Sequence, residues 1–161
     1  MTKVMRSLCV IAAAGALVAC GGEDEAAPNP IEEQGALEIE GTWSSNFGGT
    51  EIIGADTWAS VFTDEDGVEF TSETSIEEYS NAENEIVTQN PDDDAFNPSR
   101  FNRIVWTEID GDSFYYCITD FGLESAADAS ARNTPADDSD PDEGGCGTGE
   151  NSFPWTKLTR E

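Results

Sequence analysis

Cysteine, tryptophan and carboxylate are the side chains with which this 161-residue sequence could do chemistry. It contains no histidine. Without an imidazole there is no Ser-His-Asp or Cys-His nucleophile. No glycine-rich turn of the phosphate-cradling pattern leads into a helix. Pairs of carboxylates could work as acid and base on a glycosidic bond. With 34 Asp and Glu residues, however, many pairs fall at workable spacings and none is singled out. The sequence therefore reads as that of a protein that is not an enzyme.

Cys117 and Cys146 are the cysteines outside the N-terminal segment. An even pair suits a disulfide in an oxidising compartment. Such a bond closes a loop of about 29 residues, worth roughly 3–4 kcal/mol in the chain-entropy model. The alternative is two free thiols. Two thiols without histidine do not complete a zinc shell, so neither a metal nor another cofactor is expected. Trp43, Trp58, Trp106 and Trp155 fall in four different apolar segments. Aromatics spread in this way build a core with one large ring per strand, or they cage a ligand. Trp43, Trp58 and Trp106 are the candidate ligand-binding residues. The acidic run Asp137-Asp138-Ser139-Asp140-Pro141-Asp142-Glu143-Gly144 has Asp138, Asp140 and Asp142 at the alternate spacing of a calcium loop. Glu143 stands where the sharp turn of that loop needs glycine, and Gly149 where its bidentate glutamate belongs. A solvated loop is the expectation.

The formal net charge is −27. Beyond the N-terminal segment the basic residues are Arg100, Arg103, Arg132, Lys157 and Arg160. A nucleic-acid binder needs clustered Lys and Arg, so that class is excluded. A strongly acidic surface keeps a protein solvated and repels its own copies.

The elements that must position these residues are strands. Alternation and turn residues dominate from Leu37 onward. Leu37, Ile39, Gly41 and Trp43 share one face of a first strand. Further strands are expected at residues 50–53, 57–63, 68–79, 85–89, 100–109 and 113–119, and a last one at 152–159. Asp64-Glu65-Asp66-Gly67 and Asp110-Gly111-Asp112 are hairpin turns. Residues 100–109 and 113–119 are apolar on both faces, so something covers the outside of the sheet there. The alanine-rich segment Leu123 to Arg132 is the expected helix and the expected cover. Pro154 places an edge or bulge in the last strand. The result is a mainly β domain, a small antiparallel meander barrel or sandwich of about eight strands with one short helix.

Two stretches resemble known families. Lys3 and Arg6 precede the apolar run Leu8 to Ala19, which has the length of a signal peptide. It is too short to remain as a spanning helix of about 20 residues. Leu17-Val18-Ala19-Cys20 resembles the lipobox of bacterial lipoproteins. That resemblance implies cleavage after residue 19 and a lipid on Cys20 (palmitate in its acylated form), so the membrane is a partner through the N-terminal lipid. Gly21, in place of aspartate, implies the outer membrane. Residues 1–19 are then a signal peptide, 20–36 a lipidated acidic tether and 37–161 a single β domain. Gly41-Thr42-Trp43-Ser44-Ser45-Asn46-Phe47-Gly48-Gly49-Thr50 resembles the first strand and turn of avidin-like barrels, and its Gly-x-Trp resembles the opening of lipocalins. Those barrels hold a small ligand inside. Ser45 departs from the pattern, because avidins place there an asparagine that contacts biotin. The leading expectation is a non-catalytic binding or structural component of the cell envelope. The alternative is a lipocalin- or avidin-like carrier of a small apolar ligand.

Overall fold

The computed structural model describes residues 35–147 and 152–161. The expected signal peptide, Cys20 and nearly all of the expected tether lie outside the described residues. The strands are β1 (Gly41–Ser45), β2 (Thr50–Ile53), β3 (Thr57–Thr63), β4 (Glu69–Ser80), β5 (Glu85–Gln89), β6 (Phe101–Trp106) and β7 (Ser113–Leu123). They are followed by α1 (Ala126–Ser130), β8 (Gly145–Cys146), β9 (Phe153–Pro154) and β10 (Thr156–Arg160). Strands β1 to β7 and β10 form a closed eight-strand antiparallel barrel, in the order β1-β10-β7-β6-β5-β4-β3-β2. The chain is thus a barrel and not a sandwich. Closure runs through β1 and β10, where Trp43 faces Arg160 and Ser45 faces Leu158. A closed ladder leaves no unpaired strand edge.

Large apolar side chains fill one end. Leu37, Ile39, Trp43, Ile53, Tyr79 and Ile86 are buried there with Trp106, Phe114 and Leu158. The first strand is shorter than its alternation predicts. Leu37 and Ile39 are 2 % and 0 % exposed yet lie before β1, in the segment that crosses beneath the barrel. Their apolarity reports burial in a floor, not ladder pairing. The Trp43 indole Nε1 donates to Ile39 O at 2.9 Å, pinning that segment under the ring. Phe114 meets Trp43 edge-on at 4.8 Å, and the Arg160 guanidinium stacks on Trp43 at 4.1 Å. Gly41 has φ +150°, and a Cβ there would lie 2.9 Å from Arg160 Nη1 and 3.3 Å from the Trp43 indole. The glycine of the Gly-x-Trp therefore lets the chain turn beneath the plug.

The outer face of β6 and β7 is covered, as two-sided apolarity requires. Cys117 and Cys146 are bonded, and with Trp155 they form a second apolar cluster against Val105, Tyr115 and Ala136. Gly145 passes so close to the backbone of Asp137 that a Cβ would fall 1.7 Å from its carbonyl oxygen. The helix is shorter than predicted because β7 continues to Leu123, which pairs with Phe101. Ser125 then caps α1 by accepting from the Asp128 N–H. The helix packs on β5, β6 and β7 and buries Ala129. A buried ion pair, Arg103 with Glu85, lies on the β5–β6 wall, and Arg103 also donates to Thr119 Oγ1 at 3.0 Å. The expected single last strand is instead two: β9, which ends at Pro154, pairs with β8, and β10 joins the barrel.

The Cys117–Cys146 bond spans 29 residues, so replacing both cysteines with alanine is expected to lower stability by about 3–4 kcal/mol. Urea unfolding checks this, and the reduced wild type should match the double variant.

Candidate functional site

Along β3 to β6 the inward-facing positions change from large and apolar to small and polar. In β4 the order from the floor is Tyr79, Ile76, Thr74, Ser72; in β5 it is Ile86, Thr88. In β6 it is Trp106, Ile104, Asn102, and in β3 it is Trp58, Ser60. Small side chains cannot fill an eight-strand barrel. The end away from the floor therefore holds a cavity of about 250 Å³, open on one side.

Its walls are Ser60 and Ser72, Thr74 and Thr88, and Asn90 and Asn102. Its deeper aromatic surface is Trp58 and Tyr116, whose rings meet at 5.0 Å. The loop between β5 and β6 brings Asp94 and Phe96 to the mouth, and β7 brings Phe121. Phe96 is 90 % exposed and Phe121 59 % exposed, so two aromatic faces stand at the entrance without a covering neighbour.

Behind the wall lies a residue that motif reasoning did not single out. Glu51 in β2 faces inward and is 3 % exposed. Its Oε2 accepts from Trp58 Nε1 at 2.8 Å and from Ser60 Oγ at 2.6 Å; its Oε1 accepts from Tyr116 Oη at 3.4 Å. No described basic side chain forms an ion pair with it. Burial pushes the Glu51 carboxyl above its ordinary range, and the hydrogen bonds from Ser60, Trp58 and Tyr116 pull it partly back. Burial, reinforced by the neighbouring Glu51 charge, pushes the Tyr116 phenol far above its ordinary value. The signal for Glu51 lay in the short strand itself. Glu51 and Ile53 share the face opposite Ile52, and Ile52 is the one left 45 % exposed.

Of the three candidate tryptophans, only Trp58 lines the cavity. Trp43 and Trp106 stand in the floor cluster beneath it. Trp106 Nε1 reaches Glu38 Oε1 at 2.8 Å, tying the entering chain to β6. Ser45, at the position where the avidin resemblance departs, lies in the ladder opposite Leu158. In the 137–144 loop, Asp142 takes the Tyr115 hydroxyl at 3.1 Å and Asp137 Oδ1 takes the Ser139 N–H at 3.0 Å. Among the described residues no three acidic or thiol groups converge as a metal shell would require. Compared with family models, curated proteins and solved structures, the chain has no significant match in any of the three.

A carboxyl raised in the fold holds its proton to higher pH than in the unfolded chain. Its contribution favours the fold at low pH and is lost as pH rises from the ordinary glutamate range through the raised value. The Glu51 contribution to the thermal midpoint should therefore rise as pH falls from neutrality toward the ordinary glutamate range. Glu51→Gln should flatten that rise, measured as the difference between wild-type and variant midpoints across the same buffers.

Proposed function

We propose that this chain is an exported lipoprotein of the outer membrane whose barrel binds a small ligand at its open end without turning it over. The observation that carries the binding reading is the cavity: one end of a closed barrel is plugged by tryptophan, and the other is a hollow of about 250 Å³ with hydroxyl and amide walls and aromatic edges. Ligand pockets have this character, concave and aromatic with a few convergent polar groups. The volume suits a single-ring molecule, and the polar walls favour a ligand of mixed polarity over a purely apolar one. Non-catalytic binding is supported by the absence of histidine and by the placement of Glu51 behind the wall, where Ser60, Trp58 and Tyr116 occupy its oxygens. The lipid anchor is supported by the lipobox-like Leu17-Val18-Ala19-Cys20. More than one acyl chain on Cys20 would hold the protein stably on a bilayer.

A second reading, a structural or docking component of the envelope, is favoured by one observation. Phe62 and Phe70 are register partners near the tip of the β3–β4 hairpin, are 45 % and 56 % exposed, and lie outside the cavity lining.

Calorimetric titration with single-ring compounds, one each of positive, neutral and negative charge, separates the two. At least one should saturate a single site, and Ser72→Trp, which fills the mouth from an exposed position, should abolish that binding. If no charge class binds, the carrier reading fails and docking replaces it. For the anchor, mass spectrometry of detergent-extracted protein should find residues 1–19 removed and Cys20 lipidated; an unmodified Cys20 removes that part of the proposal.

A further inference from the structure

We infer that the cavity takes a small organic cation, an ammonium that carries N–H donors on a single ring, held by hydroxyl lone pairs and aromatic faces. The inference rests on the cavity-binding reading above and adds the charge and hydrogen-bonding character of the ligand.

The polar walls have already spent much of their hydrogen. Ser60 Oγ donates to Glu51 Oε2 at 2.6 Å, and Tyr116 Oη donates to Glu51 Oε1 at 3.4 Å. Thr74 Oγ1 donates to the Trp58 carbonyl at 3.4 Å. Asn102 Nδ2 donates to Asn90 Oδ1 at 2.7 Å, and Asn90 Nδ2 donates to the Asn97 carbonyl at 3.0 Å. A hydroxyl has one hydrogen and two lone pairs. Once the hydrogen points at Glu51 or a carbonyl, only acceptor capacity remains for a guest. Ser60, Thr74 and Tyr116 therefore offer a guest lone pairs only, and a ligand that meets them brings donors of its own.

Charge selects among donor-rich ligands. Among the described residues no lysine or arginine lines the cavity, whereas Asp94 does. Glu51 stands one side chain deeper, 3 % exposed and without an ion pair among the described residues. A buried carboxylate without a counter-charge is costly, and a cation brought within a few ångströms offsets that cost. Trp58, Tyr116, Phe96 and Phe121 present ring faces or edges around the same space. Aromatic faces attract ammonium groups. The net charge of −27 gathers cations at the entrance and repels anions.

The experiment compares three molecules that share one ring: cyclohexylammonium, cyclohexanol and cyclohexanecarboxylate. Each is titrated calorimetrically into the intact wild-type protein near pH 7. Cyclohexylammonium should bind one site at least tenfold more tightly than cyclohexanol, and the carboxylate should not bind. Glu51→Gln should shrink the preference for the cation over the alcohol. Phe96→Ala, at a 90 % exposed position outside the core, should weaken cation binding about two- to fivefold, and so tests the inference even if Glu51→Gln fails to fold. If cyclohexanol binds as tightly as the cation, the charge assignment is overturned while the cavity reading stands. If none of the three binds, both are overturned. Cation binding that survives Ser72→Trp belongs to the acidic surface and also overturns the inference.

Discussion

Closure of β1 on β10 is the constraint on which the rest of this molecule depends, and Trp43 is where it is enforced. The ring sits between Phe114 of β7 and Arg160 of β10, and its N–H holds the entering chain at Ile39. One side chain thereby fastens the first strand, the last strand and the lead-in segment to each other. An open edge at either strand would leave unpaired backbone groups exposed and free to recruit another chain. Gly41 is part of the same device, since a side chain there would collide with the cation and the indole that make the seal.

With one end sealed by large rings, the opposite end is free to be hollow. Most stabilising burial is concentrated in the floor, while Thr88, Asn102 and their neighbours give up apolar contact to keep polar groups facing inward. The outer cover compensates on the β6–β7 side. There the Cys117–Cys146 bond, Trp155 and α1 add packing that the interior at the mouth does not provide. The molecule thus separates support from recognition along a single axis.

Much of this was legible in the alternation. The bounds of β2, β3 and β5 coincide with the apolar periodicity, and the hairpins at Asp64–Gly67 and Asp110–Asp112 form where glycine permits positive φ. The two-sided apolarity of β6 and β7 announced an outer cover, and the cysteine pair announced what holds it. What alternation cannot supply is height along the barrel axis. It tells that Trp43, Trp58 and Trp106 point inward, but strand tilt and stagger decide that Trp58 borders the hollow while the other two lie under it. Glu51 escaped for a related reason. In a chain with 34 acidic residues, a single inward-facing one is conspicuous only after the strand has been given a face.

The direction in which the described chain enters the barrel has a geometric corollary. Leu37 and Ile39 cross the sealed base, Tyr79 Oη donates to Gly35 O beside it, and Arg160 of β10 lies at the same level opposite Trp43. Gly35 and Arg160 therefore both lie at the pedestal of the cup. The bowl, with its phenylalanine lip, opens at the opposite end, so neither Gly35 nor Arg160 stands between the cavity and solvent.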